Sequence, residues 1–153
     1  MQIWRVGTLR LATIVAGCSF LFTFVPSVFA DGTLMGTAHS TLLNPCNGEI
    51  VKGPVDFLLV VQTNQTAQGP HIVVHRTFHG TLQGNLGNEY EVRSVGQAEF
   101  DALSSQYALS FENNVVGKGS APNFTATGTV TVFVDADQNP TGYSAVATGA
   151  VCK

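Results

Sequence analysis

The segment formed by residues 123–135, NFTATGTVTVFVD, alternates between two kinds of side chain and constrains the fold more than any other part of the sequence. Phe, Ala, Gly and Val occupy every second position from 124 to 134, and threonine fills most of the positions between them. Successive side chains of a β-strand point to opposite faces, so this period of two predicts a strand with one face in a core and the other in water. Threonine and valine are β-branched, and this local preference agrees with the pattern.

Similar segments recur along the chain and predict an all-β fold. Six more strands are expected from alternation or from continuous apolar runs, at residues 33–43, 50–62, 71–83, 89–100, 105–116 and 142–152. The strand at 50–62 becomes two if it breaks or bulges at Gly53-Pro54. Short loops favour antiparallel neighbours, and no segment has the spacing and caps of a helix. We therefore expect an antiparallel meander of seven or eight strands in a closed or nearly closed barrel, with a β-sandwich as the alternative.

Residues 1–30 have the organisation of a signal peptide. Arg5 and Arg10 precede an apolar run at residues 11–25, and Val28-Phe29-Ala30 ends in the small residue typical of a cleavage site. We expect cleavage after Ala30, which leaves one domain of residues 31–153 in the periplasm or outside the cell. A membrane span needs roughly 20 apolar residues, and this run is shorter, so no membrane span is expected.

An alternative processing site lies within the apolar run. Val15-Ala16-Gly17-Cys18 resembles the lipobox of bacterial lipoproteins, and cleavage there would leave the protein lipid-anchored through Cys18. The residues after Cys18 stay apolar, whereas a lipidated cysteine is normally followed by a polar tether. We therefore favour ordinary cleavage after Ala30.

Two cysteines, Cys46 and Cys152, remain after that cleavage. An isolated pair in an exported protein is typically bridged, so we predict a disulfide between them. The bridge requires the two Cα atoms to lie within about 7 Å of each other. The first and last strands of the domain should then be neighbours.

The charge and length of residues 31–153 limit the classes of partner. Five Lys or Arg stand against ten Asp or Glu, which gives a net charge of −5. An acidic surface speaks against nucleic acid or anionic lipid as the main partner. The length suits one domain and leaves no room for a separate cofactor domain, so no cofactor is expected.

Three of the four histidines, His71, His75 and His79, lie on one face of the predicted strand 71–83. Residues four apart on a strand are separated by about 13 Å, whereas zinc ligands lie about 2 Å from the ion. These three histidines alone cannot hold one metal ion, and we predict no metal site. These histidines, and Arg76 on the same strand, are the residues that we expect to contact a ligand or a partner protein.

Arg76 itself falls on the opposite face of that strand, among Ile72, Val74 and Phe78. A charged group on an apolar face needs water or a partner. Arg76 should therefore lie near a strand end or point into a barrel interior that is not dry.

Several landmarks resemble those of a family of small exported bacterial all-β proteins of unknown function. They are Asn44-Pro45-Cys46-Asn47-Gly48-Glu49, the histidine-rich strand, Gly119-Ser120-Ala121-Pro122-Asn123-Phe124 and the terminal Cys152. The resemblance extends over essentially all of residues 31–153. It implies a single β domain with Cys46 paired to Cys152, and the family supplies no catalytic residues to transfer.

No nucleophile, base and orienting group form a recognisable catalytic pattern, so no catalytic residue is predicted. We expect an exported, non-catalytic binding or surface-interaction module, whose partner is a small apolar ligand in the barrel or another surface protein. A carrier of this kind needs a cavity of about 300 Å³ or more. If the barrel has no such cavity, its apolar residues simply pack a solid core. The residues expected inside the barrel in either case are Phe57, Leu59, Phe78, Tyr90, Tyr107, Leu109, Phe111, Val130 and Tyr143.

Two functions from other classes stay open. A small barrel enzyme, such as an isomerase, cyclase or hydrolase, would use His75 or Arg76 with a carboxylate from a neighbouring strand. A structural component of the cell envelope would self-associate and bind no small molecule.

Overall fold

A computed structural model describes the backbone of residues 28–30 and the complete residues 32–153. The predicted signal peptide, apart from its last three residues, and the alternative anchor at Cys18 lie outside the described residues. Within the described part, no helix has the length and apolar character needed to span a membrane. The strands are β1 (Val28–Ala30), β2 (Thr33–Leu43), β3 (Ile50–Thr66), β4 (Gly69–Gly84), β5 (Glu89–Phe100), β6 (Gln106–Gly117), β7 (Phe124–Val134) and β8 (Pro140–Cys152).

The strands form an antiparallel meander in which each strand pairs with the next along the chain. The seven long strands, β2 to β8, curve into a nearly closed barrel around a single core. The all-β meander and the barrel predicted from the sequence are confirmed, and the sandwich alternative is not formed.

One seam of the barrel, between β2 and β8, is not sealed by hydrogen bonds. The two strands lie close together, but no ladder joins them. An antiparallel meander of seven strands leaves the first and last strands parallel, unlike every other neighbouring pair. At one end, the seam is closed covalently by the Cys46–Cys152 disulfide, with Cα atoms 5.2 Å apart, which confirms the predicted pairing.

Side-chain alternation along β7 follows the predicted pattern. Every even-numbered position from Phe124 to Val134 is buried, and Phe133 on the other face is exposed. Thr125 is the exception, because it is buried on the face that was expected to meet water. The aromatic residues expected inside the barrel are buried in this core, except Phe111, which is partly buried against it.

The prediction of a bulge or a break at Gly53-Pro54 is wrong. β3 runs through these residues, and its register with β2 and with β4 is the same before and after them. Pro54 has no N–H to donate. Gly53 and Pro54 are therefore unpaired in the ladder between β3 and β4, whose register does not change. The strands approach closely here, since a Cβ on Gly80 would lie 2.4 Å from the carbonyl oxygen of Pro54. The small residues therefore serve close packing.

Replacing both Cys46 and Cys152 with alanine should lower the free energy of unfolding by roughly 3–5 kcal/mol. The bridge joins residues 106 apart in sequence, and a loop of about 100 residues corresponds to about 4.7 kcal/mol of closure entropy. Urea unfolding of the mature protein measures the loss, and reduction of the wild-type protein should reproduce it. A change below about 1 kcal/mol would show that other contacts hold the seam.

Candidate functional site

The two faces of β4 carry different chemistry. His71, His75 and His79 lie on the outer face of the barrel, and Arg76 points inward. The site residues expected from the sequence are thus divided by the barrel wall. Because His75 and Arg76 are on opposite sides of the strand, they do not converge on one pocket.

Two of the outer histidines lie beside carboxylates. His71 Nδ1 is 3.1 Å from Asp101 Oδ1, and its Nε2 is 3.6 Å from Glu99 Oε2. His79 Nε2 lies 3.6 Å from Glu91 Oε1. Residues 32–153 contain no group of three His, Cys, Asp or Glu side chains that could hold a metal ion. The histidine row is therefore a polar outer surface with carboxylates next to it.

The guanidinium of Arg76 is buried inside the barrel with few partners. Only 6% of the residue is exposed. Its Nη1 donates a hydrogen bond of 2.6 Å to Ser94 Oγ, and its Cζ lies 5.9 Å from the centre of the Phe78 ring. No ion pair joins it to a carboxylate of the described residues. Burial lowers the pKa of Arg76 below its usual range, as expected for a charge that has lost water and gained no counter-charge.

Gly96 provides the space in which this guanidinium lies. Gly96 is opposite Arg76 in the β4–β5 ladder. A Cβ at Gly96 would lie 2.8 Å from Arg76 Nη2 and 3.0 Å from its Cζ. The guanidinium therefore packs directly against the backbone of β5, where any larger side chain would displace it.

The wall of the barrel is not continuous next to this position. β5 and β6 pair only from Tyr90–Gly117 to Arg93–Asn114. Residues 94–100 and 106–113 have no ladder between them, and we call this unpaired stretch the β5–β6 gap. Its far end is closed by the rings of Phe100 and Tyr107, whose centres are 4.8 Å apart.

Polar groups from both strands border the gap. Ser94 Oγ accepts the bond from Arg76 and lies 3.4 Å from the carbonyl oxygen of Glu112 on β6. Next to Glu112, Asn113 faces inward, and its Oδ1 is buried without a hydrogen-bond partner among the described residues. The gap thus combines a cation that has no counter-charge with an unsatisfied acceptor.

Among the described residues, a small cavity lies at the centre of the barrel. It has a volume of about 40 Å³ and is lined by side chains that include Phe78, Phe111 and Asn113. A water molecule needs about 10–15 Å³ of such volume, so this cavity can hold a few waters at most. It does not reach the size of about 300 Å³ that an enclosed organic ligand requires.

A second buried charge, Glu49, lies at the disulfide end of the barrel, and both of its carboxylate oxygens accept hydrogen bonds. Its Oε2 accepts bonds from Tyr90 Oη at 2.6 Å, Asn88 Nδ2 at 2.8 Å and Asn47 Nδ2 at 3.2 Å, and its Oε1 accepts one from Leu86 N at 2.9 Å. Burial alone would raise the pKa of Glu49, but these four bonds outweigh it and lower the pKa to about 2. We call Glu49 and these partners the Glu49 cluster.

Asn44, in the same turn as Glu49, also joins chain segments that are far apart in sequence. Asn44 is fully buried and donates from Nδ2 to Tyr90 Oη at 3.1 Å and to Pro122 O at 3.4 Å. Asn44 Oδ1 accepts a bond of 2.9 Å from the backbone N–H of Cys46. Apart from Cys46, residues 44–49 stood out in the sequence only as a landmark of the family resemblance, because nothing in the local pattern shows that a glutamate after Asn-Gly will be buried.

The chain matches no protein-family model, no curated protein and no solved structure. Its resemblance to a family of small exported proteins stays a prediction. Two of the four landmarks that suggest it meet in space, because Asn44 of the segment 44–49 donates a hydrogen bond to the carbonyl oxygen of Pro122 in the segment 119–124.

Glu49→Gln should lower the free energy of unfolding at pH 7 by about 2–3 kcal/mol, because the amide brings an N–H towards groups that are themselves donors. The pKa of Glu49 is about 2 in the folded protein, below the ordinary glutamate value of 4.5. A lowered folded-state pKa stabilises the protein above pH 4.5, and this contribution is lost as the pH falls from about 4.5 towards 2. Urea unfolding at pH 7, 5, 4 and 3 should show a steeper loss for wild type than for the variant.

Glu112→Gln is the matched control, since Glu112 is exposed on β6. It should change the unfolding free energy by less than about 0.5 kcal/mol. Equal pH dependence of wild type and Glu49→Gln would contradict the role assigned to the Glu49 cluster.

Proposed function

We propose that this protein is an exported, non-catalytic binding module and that it takes a small ligand at Arg76, next to the β5–β6 gap. The observation that carries the proposal is the buried guanidinium of Arg76, which has one side-chain hydrogen bond and no carboxylate among the described residues. Burying an unpaired charge costs several kcal/mol, and a bound ligand of opposite charge reduces that cost. A binding role thus gives the arrangement a physical reason.

Export is supported by the signal-peptide pattern of residues 1–30 and by the disulfide, since such bonds persist in oxidising compartments. A site in the periplasm or outside the cell is accessible to small extracellular molecules. We therefore expect a ligand that occurs outside the cytoplasm.

The enzyme alternative receives less support from the arrangement of the described residues. It requires His75 or Arg76 to meet a carboxylate from a neighbouring strand within one pocket. Arg76 has no such partner, and His75 faces the outer surface. An enclosed apolar ligand is also less favoured, because the central cavity is only about 40 Å³.

Native mass spectrometry of the mature protein, purified from its own source, tests the proposal directly. We expect an additional mass that leaves on denaturation, and we expect Arg76→Met to lose it. Arg93→Met removes the same charge from an exposed position on β5 and should retain the bound mass. A bare polypeptide in the wild-type preparation would argue against a resident ligand.

Arg76→Met should also leave the ligand-free protein as stable as wild type or more stable by about 1–2 kcal/mol, because methionine fills similar space without a buried charge. Urea unfolding of both proteins after dialysis measures the difference. If Arg76 instead serves only to hold β4 to β5 through Ser94, the variant should lose stability. A loss greater than about 1 kcal/mol would therefore contradict a binding role.

A further inference from the structure

We propose that the ligand at Arg76 is a small monocarboxylate, whose carboxylate group enters the β5–β6 gap and binds the guanidinium and the Ser94 hydroxyl. This inference rests on the proposed binding function and names the chemical class of the ligand. It concerns the inner face of β4 and is independent of the outer histidine row.

The charge balance of the site favours a single negative charge. Arg76 is the only cationic side chain buried among the described residues. The other four cations of residues 32–153 are exposed: Lys52, Arg93, Lys118 and Lys153. A phosphate, which carries about 1.5 to 2 negative charges at pH 7, would remain partly uncompensated beside one guanidinium, whereas a monocarboxylate forms a neutral pair with it.

The shape of the donors favours a planar anion. A guanidinium offers parallel N–H groups that match the two oxygens of a carboxylate. One side-chain hydrogen bond, from Nη1 to Ser94, is present on Arg76, which leaves other N–H groups of the fork for a ligand. A spherical ion such as chloride uses this geometry less well.

Ser94 is able to act as a second donor. Its hydroxyl accepts from Arg76 and lies 3.4 Å from the carbonyl oxygen of Glu112, a distance at the long limit of a hydrogen bond. Turning the hydroxyl towards a carboxylate gives up only this weak bond. Ser94 therefore exchanges a poor acceptor for a charged one, and charge-assisted bonds are roughly twice as strong.

The residues around Arg76 limit the size of the monocarboxylate ligand. Ile72 and Val74, on the same face of β4 as Arg76, are fully buried in the packed core. The nearby cavity has only about 40 Å³. The part of the ligand beyond the carboxylate must then be short or must stay in the β5–β6 gap, near the partly buried Phe111 ring.

The test is a titration of the mature protein, followed by ¹H–¹⁵N NMR at pH 7 and constant ionic strength. The probes are acetate and benzoate, with acetamide and benzamide as neutral counterparts and chloride and phosphate as inorganic anions. We expect at least one carboxylate to shift the amide signals of Ser94 and Gly96 and the Nε–H signal of Arg76 saturably. The neutral amides should produce no such shifts.

Three variants test the location of the site. Arg76→Met should weaken carboxylate binding at least tenfold, and the exposed Arg93→Met should change it less than twofold. Gly96→Ala keeps the charge but places a Cβ where the guanidinium now lies, so it should weaken binding several-fold. Dispersed NMR spectra establish that each variant is folded before it is titrated.

The outcomes separate the ligand class from the function. Binding that survives in Arg76→Met, or equal affinity for acetate, chloride and phosphate, overturns the carboxylate assignment. Absence of binding by both carboxylates, together with a resident ligand of another class at Arg76, overturns it as well but leaves the binding function in place. Absence of any resident mass, together with destabilised Arg76→Met, overturns the binding function itself.

Discussion

Closure of the barrel at its seam depends on the Cys46–Cys152 disulfide, because the meander cannot close itself with an antiparallel ladder. Seven strands leave β2 and β8 parallel, and their facing edges are not hydrogen-bonded to each other. At the end where β2 and β8 finish, the Cys46–Cys152 bond joins them covalently. Glu49 then ties the β2–β3 turn to Asn88 and Tyr90 near the start of β5. The covalent link thus replaces the missing ladder at this end, and the bonds of Glu49 fix the turn that carries Cys46 to the start of β5.

The only two charged side chains buried among the described residues, Glu49 and Arg76, have opposite circumstances. Glu49 accepts four hydrogen bonds from groups in two loops and at the start of β5, and these bonds keep it ionised. Arg76 donates one side-chain hydrogen bond and faces an interruption of the wall. A fully satisfied buried charge stabilises one arrangement of its neighbours, whereas an unsatisfied one favours any partner that supplies the missing charge. We therefore assign Glu49 to structure, and the proposed binding role is based on Arg76.

Sequence patterns predicted the parts of the fold that depend on local alternation. The bounds of β2 and β5 agree with the segments 33–43 and 89–100, and the inward position of Arg76 follows from its parity with Val74. The buried state of Glu49 could not be predicted, because its partners Leu86, Asn88 and Tyr90 are about 40 residues away. The β5–β6 gap was missed for a related reason: both strands alternate normally, and alternation does not report whether their edges pair.

The disulfide end of the barrel also makes an uncompensated Arg76 tolerable. A bridge over 106 residues contributes up to about 4.7 kcal/mol, which is comparable to the several kcal/mol that a buried, unpaired charge costs. Folding therefore does not require a counter-charge for Arg76 within the chain. The outer histidines provide a contrast, because His71 and His79 already have carboxylates beside them. Among these charged groups of β4, Arg76 is the one without a carboxylate beside it in the described residues, and the proposed binding role rests on this difference.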